Sequence, residues 1–148
     1  MANINPDNAA RYDDFDPDAF GLNNGNLFGF PHTSEDAAIL VQPVPLELTV
    51  SYRTGTGNAP KAILEASPQL DLYHREIPAP WLPGIALLEE LHEAHSISRE
   101  HLPKSKRLAR LLAEANYSEN ADTIASLQES INALTADIHE TVYDAVLP

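Results

Sequence analysis

The sequence contains no cysteine, which excludes disulfide bonds, thiolate metal sites and a cysteine nucleophile. It also lacks a long hydrophobic run, since its longest purely aliphatic stretch, Ala37–Val41, is far shorter than the roughly 20 residues that span a bilayer. The N-terminus is acidic, whereas a secretory leader begins with positive charge. These absences predict a protein without a membrane role, and they fit a cytoplasmic location.

A positively charged face is absent as well. The net charge of -13 divides into -6 over residues 1–36, -4 over residues 37–103 and -3 over residues 104–148. Such a chain repels the phosphate backbone of nucleic acids, so we expect no nucleic-acid partner. With 148 residues and 43% hydrophobic content, the chain is nevertheless long enough to form one domain of ordinary size.

Residues 1–36 predict an irregular acidic arm, because they are rich in Asn, Asp, Gly and Pro and show no helical or strand periodicity. All four phenylalanines of the chain lie here: Phe15, Phe20, Phe28 and Phe30. Solvated linkers are normally poor in aromatic residues. We therefore expect the arm to lie on a surface, either of its own domain or of a neighbouring subunit, and a flexible tail is the alternative.

Residues 37–148 predict the N-terminal part of an α/β domain that ends in two helices. Short apolar runs indicate strands at 37–42, where the residues should be buried on both faces as in a parallel sheet, and at 85–88. The alternation of apolar and polar residues at 70–73 indicates a strand on an edge or partly exposed. Pro60 suits the first turn of a helix over 59–66. Apolar stripes predict helices over 105–115 and 122–146. Since these helices need more sheet to cover than three short strands provide, the unit should be incomplete.

Two groups of residues resemble metal sites only superficially. The acidic cluster Asp13, Asp14, Asp16 and Asp18 lacks the twelve-residue spacing and the turn glycine of a calcium loop. His92, Glu93 and His95 place the histidines at i and i+3, whereas a zinc helix needs i and i+4, and His101 could join only by folding back. We expect surface roles for these residues and structural roles for His32 and His74.

The most informative stretch is Thr49–Ile63, which predicts a strand, a glycine-punctuated loop and a capped helix. Loops that leave the C-terminal ends of parallel strands bind ligands in α/β proteins. The candidate substrate loop, called loop 52–56 below, comprises Tyr52, Arg53, Thr54, Gly55 and Thr56. We expect it to contribute shape and positioning, and the sequence offers no candidate catalytic or metal-binding residue.

This segment resembles the ureohydrolase family, which includes arginase, agmatinase, formiminoglutamase and guanidine hydrolase. The resemblance rests on Ser51–Thr56, on Ala59-Pro60 opening the next helix, and on Gln69–Tyr73, and covers roughly residues 39–88. Within the family, the segment resembles agmatinase-like or guanidine-hydrolase-like members. The family implies an arginase-like, three-layer α/β/α fold, two manganese or nickel ions, and hydrolysis of a guanidino compound to urea.

The family's metal ligands lie in Gly-Gly-Asp-His, Asp-Ala-His-x-Asp and Asp-x-Asp motifs, and none of these occurs here in a matching context. The resemblance therefore implies an N-terminal segment of a ureohydrolase that is inactive alone, binds no cofactor itself and requires a missing C-terminal catalytic segment or chain. A homo-oligomer is also expected. The alternative is a stand-alone, non-catalytic interaction protein with an arginase-like edge.

Overall fold

A computed structural model describes residues 15–50, 53–114 and 118–147. The chain divides into two compact units, of which unit 1 comprises Met1–Pro43 with Pro60–Glu89, and unit 2 comprises Val44–Ala59 with Glu90–Pro148. In chain order, the described strands and α-helices are β1 (Ile39–Val41), α1 (Ala59–Ala66), β2 (Ile85–Leu87), α2 (His92–Ala113) and α3 (Ala121–Val146). This architecture confirms the predicted class, an incomplete α/β unit.

The sheet of unit 1 is a parallel pair. Ile39 pairs with Ile85, and the register continues to Val41 opposite Leu87. The N–H group of Leu88 donates to the carbonyl oxygen of Val41 at 2.9 Å and extends the ladder by one bond. The predicted strands at 37–42 and 85–88 are thus confirmed in their central residues, and their parallel pairing agrees with the predicted sheet type.

Burial of β1 on both faces was the wrong expectation for this chain. Ile39 and Leu40 are each 48% exposed, and Val41 is 38% exposed. An entirely aliphatic strand is typical of a sheet that is covered on both faces. In the described part of the chain, however, only β2 pairs with β1, so these side chains keep much of their solvent contact.

Two predicted strands are absent from the described residues. The segment 70–73 is not a strand, and Leu70 and Tyr73 are 59% and 81% exposed. Residues 49–50 are likewise not in a strand. Alternation of polar and apolar residues suits an extended backbone, but a strand also needs a neighbour to bond with its N–H and C=O groups, and neither segment pairs with another described strand.

The helices agree with the sequence patterns except at one boundary. α1 coincides with the predicted helix, and α3 begins within one residue of it. α2 begins at His92 instead of residue 105 and continues through Pro103. An interior proline removes one backbone hydrogen bond, but α2 packs against α3, so tertiary contacts sustain the longer helix.

Each unit has its own small core. In unit 1, buried Leu27 and Phe30 belong to the arm, and the N–H of Phe28 donates to the Oγ of Ser67 at 2.8 Å. The arm prediction is therefore confirmed for Phe30, whereas Phe20 is fully exposed within this chain. In unit 2, the buried apolar residues include Leu48, Ala94, Ile124, Ile131 and Ile138. The seven-residue spacing of the three isoleucines follows the predicted stripe of α3.

Candidate functional site

A buried carboxylate holds the backbone beside loop 52–56. Glu47 is only 7% exposed, and its Oε2 accepts two backbone hydrogen bonds, from the N–H of Gly55 at 2.8 Å and from the N–H of Gly57 at 3.2 Å. Hydrogen bonds to a charged acceptor are roughly twice as strong as bonds between neutral groups. The carboxylate thus fixes two closely spaced points of the chain that leads from the loop into α1.

The segment that carries Glu47 is itself attached to α2. The N–H of Glu47 donates to the Oγ of Ser98 at 2.7 Å, and that hydroxyl lies 3.4 Å from the carbonyl oxygen of Pro45. Pro45 is fully buried and Ser98 is 5% exposed. Because a buried hydroxyl with two backbone partners has little freedom to rotate, α2 fixes the position from which the carboxylate reaches the loop.

Gly55 gives the loop a conformation that other residues avoid. Its φ of 118° and ψ of -1° lie on the positive-φ side, where a Cβ atom is strained. The next three residues form a 3-10 turn, Thr56–Asn58, in which the N–H of Asn58 donates to the carbonyl oxygen of Gly55 at 3.0 Å. This reversal lets the N–H groups of Gly55 and Gly57 meet the same oxygen atom.

Four residues of the predicted loop can be placed. Arg53, Thr54, Gly55 and Thr56 are exposed, and Tyr52 lies outside the described residues. The structure thus brings the loop's backbone onto Glu47 and leaves the described side chains accessible. Contact of these side chains with a substrate remains a prediction.

The sequence interpretation missed Glu47 and Ser98. Glu47 carried a usable signal, since it is a single charged residue between Leu46 and Leu48, in a segment that contains two prolines and precedes the glycines. A charge in such an apolar setting is normally buried only with partners. Ser98 carried no comparable signal, because a serine in a polar helix segment is ordinary.

The other candidate groups do not assemble a metal centre. The Nδ1 atoms of His92 and His95 lie 3.6 and 3.8 Å from the Oε1 of Glu90, but the two histidine side chains are 71% and 47% exposed. The Nε2 of His101 instead lies 3.6 Å from Glu100. Within the described ranges no group of three His, Cys, Asp or Glu side chains could hold a metal ion. These residues therefore do not fit a binuclear centre.

The remaining predicted positions have local or structural surroundings. Asp16 accepts a hydrogen bond from the N–H of Asp18 at 3.0 Å, while Asp13 and Asp14 lie outside the described residues. The Nδ1 of His74 accepts N–H groups from the next turn, including that of Ile77 at 3.0 Å. His32 is 1% exposed. Its burial agrees with a structural role.

Three curated relatives share sequence with this chain, and all are named N(1)-aminopropylagmatine ureohydrolase. The protein from Synechocystis sp. is 52% identical over 42 residues, which are 28% of this chain and 14% of the relative. This chain resembles the ureohydrolases. Proteins from two strains of Thermus thermophilus extend the similarity. One is 28% identical over 127 residues, which cover 74% of this chain and 42% of the relative. The other is 26% identical over 136 residues, which cover 79% of this chain and 45% of the relative.

The chain spans less than half the length of each of these ureohydrolase relatives. No family model matches the chain. No solved structure matches it either. Among the described helices, none combines the length and the apolar character that crossing a membrane requires. The similarity to ureohydrolases therefore rests on sequence, and the α/β architecture agrees with the fold expected from it.

Proposed function

We propose that this chain supplies scaffold and a substrate-positioning loop to a ureohydrolase, an enzyme that hydrolyses a guanidino compound and releases urea. The observation that carries the proposal is its sequence similarity to proteins named N(1)-aminopropylagmatine ureohydrolase. The anchored backbone next to loop 52–56 supports the positioning role, because a loop must hold a defined shape to orient a ligand. Agmatine, N(1)-aminopropylagmatine, arginine and guanidine are the substrates to compare.

The chemistry of the reaction supports a division of labour between this chain and other residues. A guanidinium carbon resists attack, so its hydrolysis requires a strong nucleophile and groups that stabilise the transition state. The described residues offer no cluster of ligating side chains for a metal. We therefore assign the manganese or nickel ions expected of the complete enzyme, together with catalysis, to another segment or chain.

The exposed strand supports an association with that segment or chain. Ile39, Leu40 and Val41 form a parallel strand whose side chains are 38–48% exposed. Covering a half-exposed aliphatic side chain gains on the order of 1 kcal/mol. Since parallel sheets are normally covered on both faces, further sheet and helices of a ureohydrolase fit this surface. The same exposure also favours the alternative, a non-catalytic protein that binds a partner through β1.

Reconstitution distinguishes the two functions. The purified chain is assayed for urea release with each guanidino compound and with manganese or nickel, alone and mixed with a chain that carries the family's three metal-ligand motifs. We expect urea only from the mixture. Urea release by the chain alone, after mass spectrometry has excluded full-length enzyme, would contradict the scaffold role, and association without urea release would favour the non-catalytic alternative.

A matched pair of substitutions tests whether β1 provides the contact. Leu40→Lys places a charge on the exposed strand, whereas Leu22→Lys makes the same change at a residue of the arm that is 61% exposed. We expect the mixture that contains Leu40→Lys to lose association and urea release, and the one that contains Leu22→Lys to retain both. Equal behaviour of the two variants in a sedimentation assay would refute a role for β1.

A further inference from the structure

We propose that Glu47 is the positioning residue of the described part of loop 52–56, residues 53–56, acting through the backbone amides of Gly55 and Gly57 and not by touching the substrate. The effect of Glu47 on substrate binding rests on the proposed function. The effect of Glu47 on the order of the loop does not, so the positioning role and the proposed function can fail separately. The relevant geometry is the convergence of two N–H groups on the Oε2 of one buried side chain.

A carboxylate suits this position because one of its oxygens can accept both amides. Backbone N–H groups that lose water without gaining a partner destabilise a structure, so this acceptor favours the reversed conformation over open ones. The bond to Gly55 falls within loop 52–56, and the bond to Gly57 falls in the following 3-10 turn. Glu47 therefore constrains the backbone on both sides of Thr56.

Glu47 is itself held in place by a hydrogen bond to α2. Ser98 accepts the N–H of Glu47 at 2.7 Å, and this connects α2 to the loop through two hydrogen bonds in series. The described side chains of the loop, those of Arg53, Thr54 and Thr56, are exposed and remain accessible to a ligand. The structure thus separates an exposed binding surface from a buried anchor that sets its shape.

The surroundings of the Oε1 atom of Glu47 make Glu47→Gln the most informative substitution. It is buried, and no described residue forms a hydrogen bond with it. Glu47→Gln therefore preserves shape and one acceptor oxygen while removing the charge. Glu47→Ala removes both acceptors, and Ser98→Ala removes only the support. Glu129→Ala is the matched control, because it deletes the same charge from an exposed position of α3 in the same unit.

The test measures solvent exchange of the Gly55 and Gly57 amide hydrogens by NMR in the full 148-residue chain. Loss of a charge-assisted acceptor should speed their exchange by about tenfold in Glu47→Ala, and by about threefold in Glu47→Gln, where a neutral acceptor remains. Ser98→Ala should produce a smaller increase at both amides, and Glu129→Ala should produce none. Amides within α2 and α3 should be unchanged in all four variants.

Unchanged exchange at Gly55 and Gly57 in Glu47→Gln would overturn the proposal. An equal acceleration throughout α2 and α3 would also overturn it, since the residue would then serve only global stability. If the helical circular dichroism signal of Glu47→Ala shows that this variant does not fold, Glu47→Gln and Ser98→Ala replace it. The criterion stays the same: faster exchange at Gly55 and Gly57 with unchanged exchange in α2 and α3.

The reconstituted enzyme provides the functional measurement. A residue that positions a substrate-binding loop should affect KM more than kcat, so we expect Glu47→Gln to raise KM about threefold, the same factor as the loss of amide protection, and to leave kcat nearly unchanged. A fall in kcat with unchanged KM would contradict the assignment. If the wild-type mixture releases no urea, the proposed function fails while the exchange result still judges the anchor.

Discussion

Alanine substitutions at Gly55 and Gly57 test whether the loop depends on its unusual backbone conformation. Gly55 has a φ of 118°, and Gly55→Ala should lower the free energy of unfolding of unit 2 by about 1–2 kcal/mol, the usual cost of forcing an L-residue to positive φ. Gly57→Ala meets no such barrier. A Cβ there would lie 3.5 Å from the Cβ of Glu47 and 3.6 Å from the carbonyl oxygen of Pro45, which are ordinary contacts.

Urea unfolding followed by far-UV circular dichroism measures the difference, because α2 and α3 both belong to unit 2. With a slope of about 2 kcal/mol per molar urea, in the middle of the usual range for a small domain, Gly55→Ala should lower the midpoint by roughly 0.5–1 M. The free energy of unfolding of Gly57→Ala should lie within about 0.5 kcal/mol of the wild-type value, or slightly above it because alanine restricts the unfolded chain. A Gly55→Ala midpoint equal to that of Gly57→Ala would refute the conformational argument.

Two further pairs test unit 1. Gly84→Ala should lower the free energy of unfolding by about 1–3 kcal/mol more than Gly25→Ala. Both residues have positive φ, but only at Gly84 would a Cβ lie 2.7 Å from the ring of His32. Equal losses of the two variants in urea titrations would exclude this steric contribution. Phe30→Ala should destabilise by about 3–5 kcal/mol, whereas Phe20→Ala should change little, since Phe30 is 2% and Phe20 is 101% exposed. A calorimetric melt that ranks the two phenylalanine variants equally would contradict the burial of the arm.

Local patterns were sufficient to predict several elements. The apolar stripe of α3, the proline in the first turn of α1 and the aliphatic run of β1 each depend on neighbours within a few residues. The failed strand at 70–73 shows the limit of such patterns. Its alternation is compatible with extended backbone, yet nothing local specifies a partner for its hydrogen-bonding groups.

The sequence by itself determined the α/β class, the presence of two C-terminal helices, the net negative charge and the glycine loop that resembles the ureohydrolases. Only the tertiary structure decided that β1 pairs with β2, that Pro103 leaves α2 unbroken, and that Glu47 is the anchor of the loop. For the strand pairing and for the attachment of Glu47 to α2, the physical reason is sequence distance, whereas Glu47 meets the nearby Gly55 because the backbone reverses there. The bond between Glu47 and Ser98 joins residues 51 positions apart, and periodicity cannot specify which buried acceptor meets which distant donor.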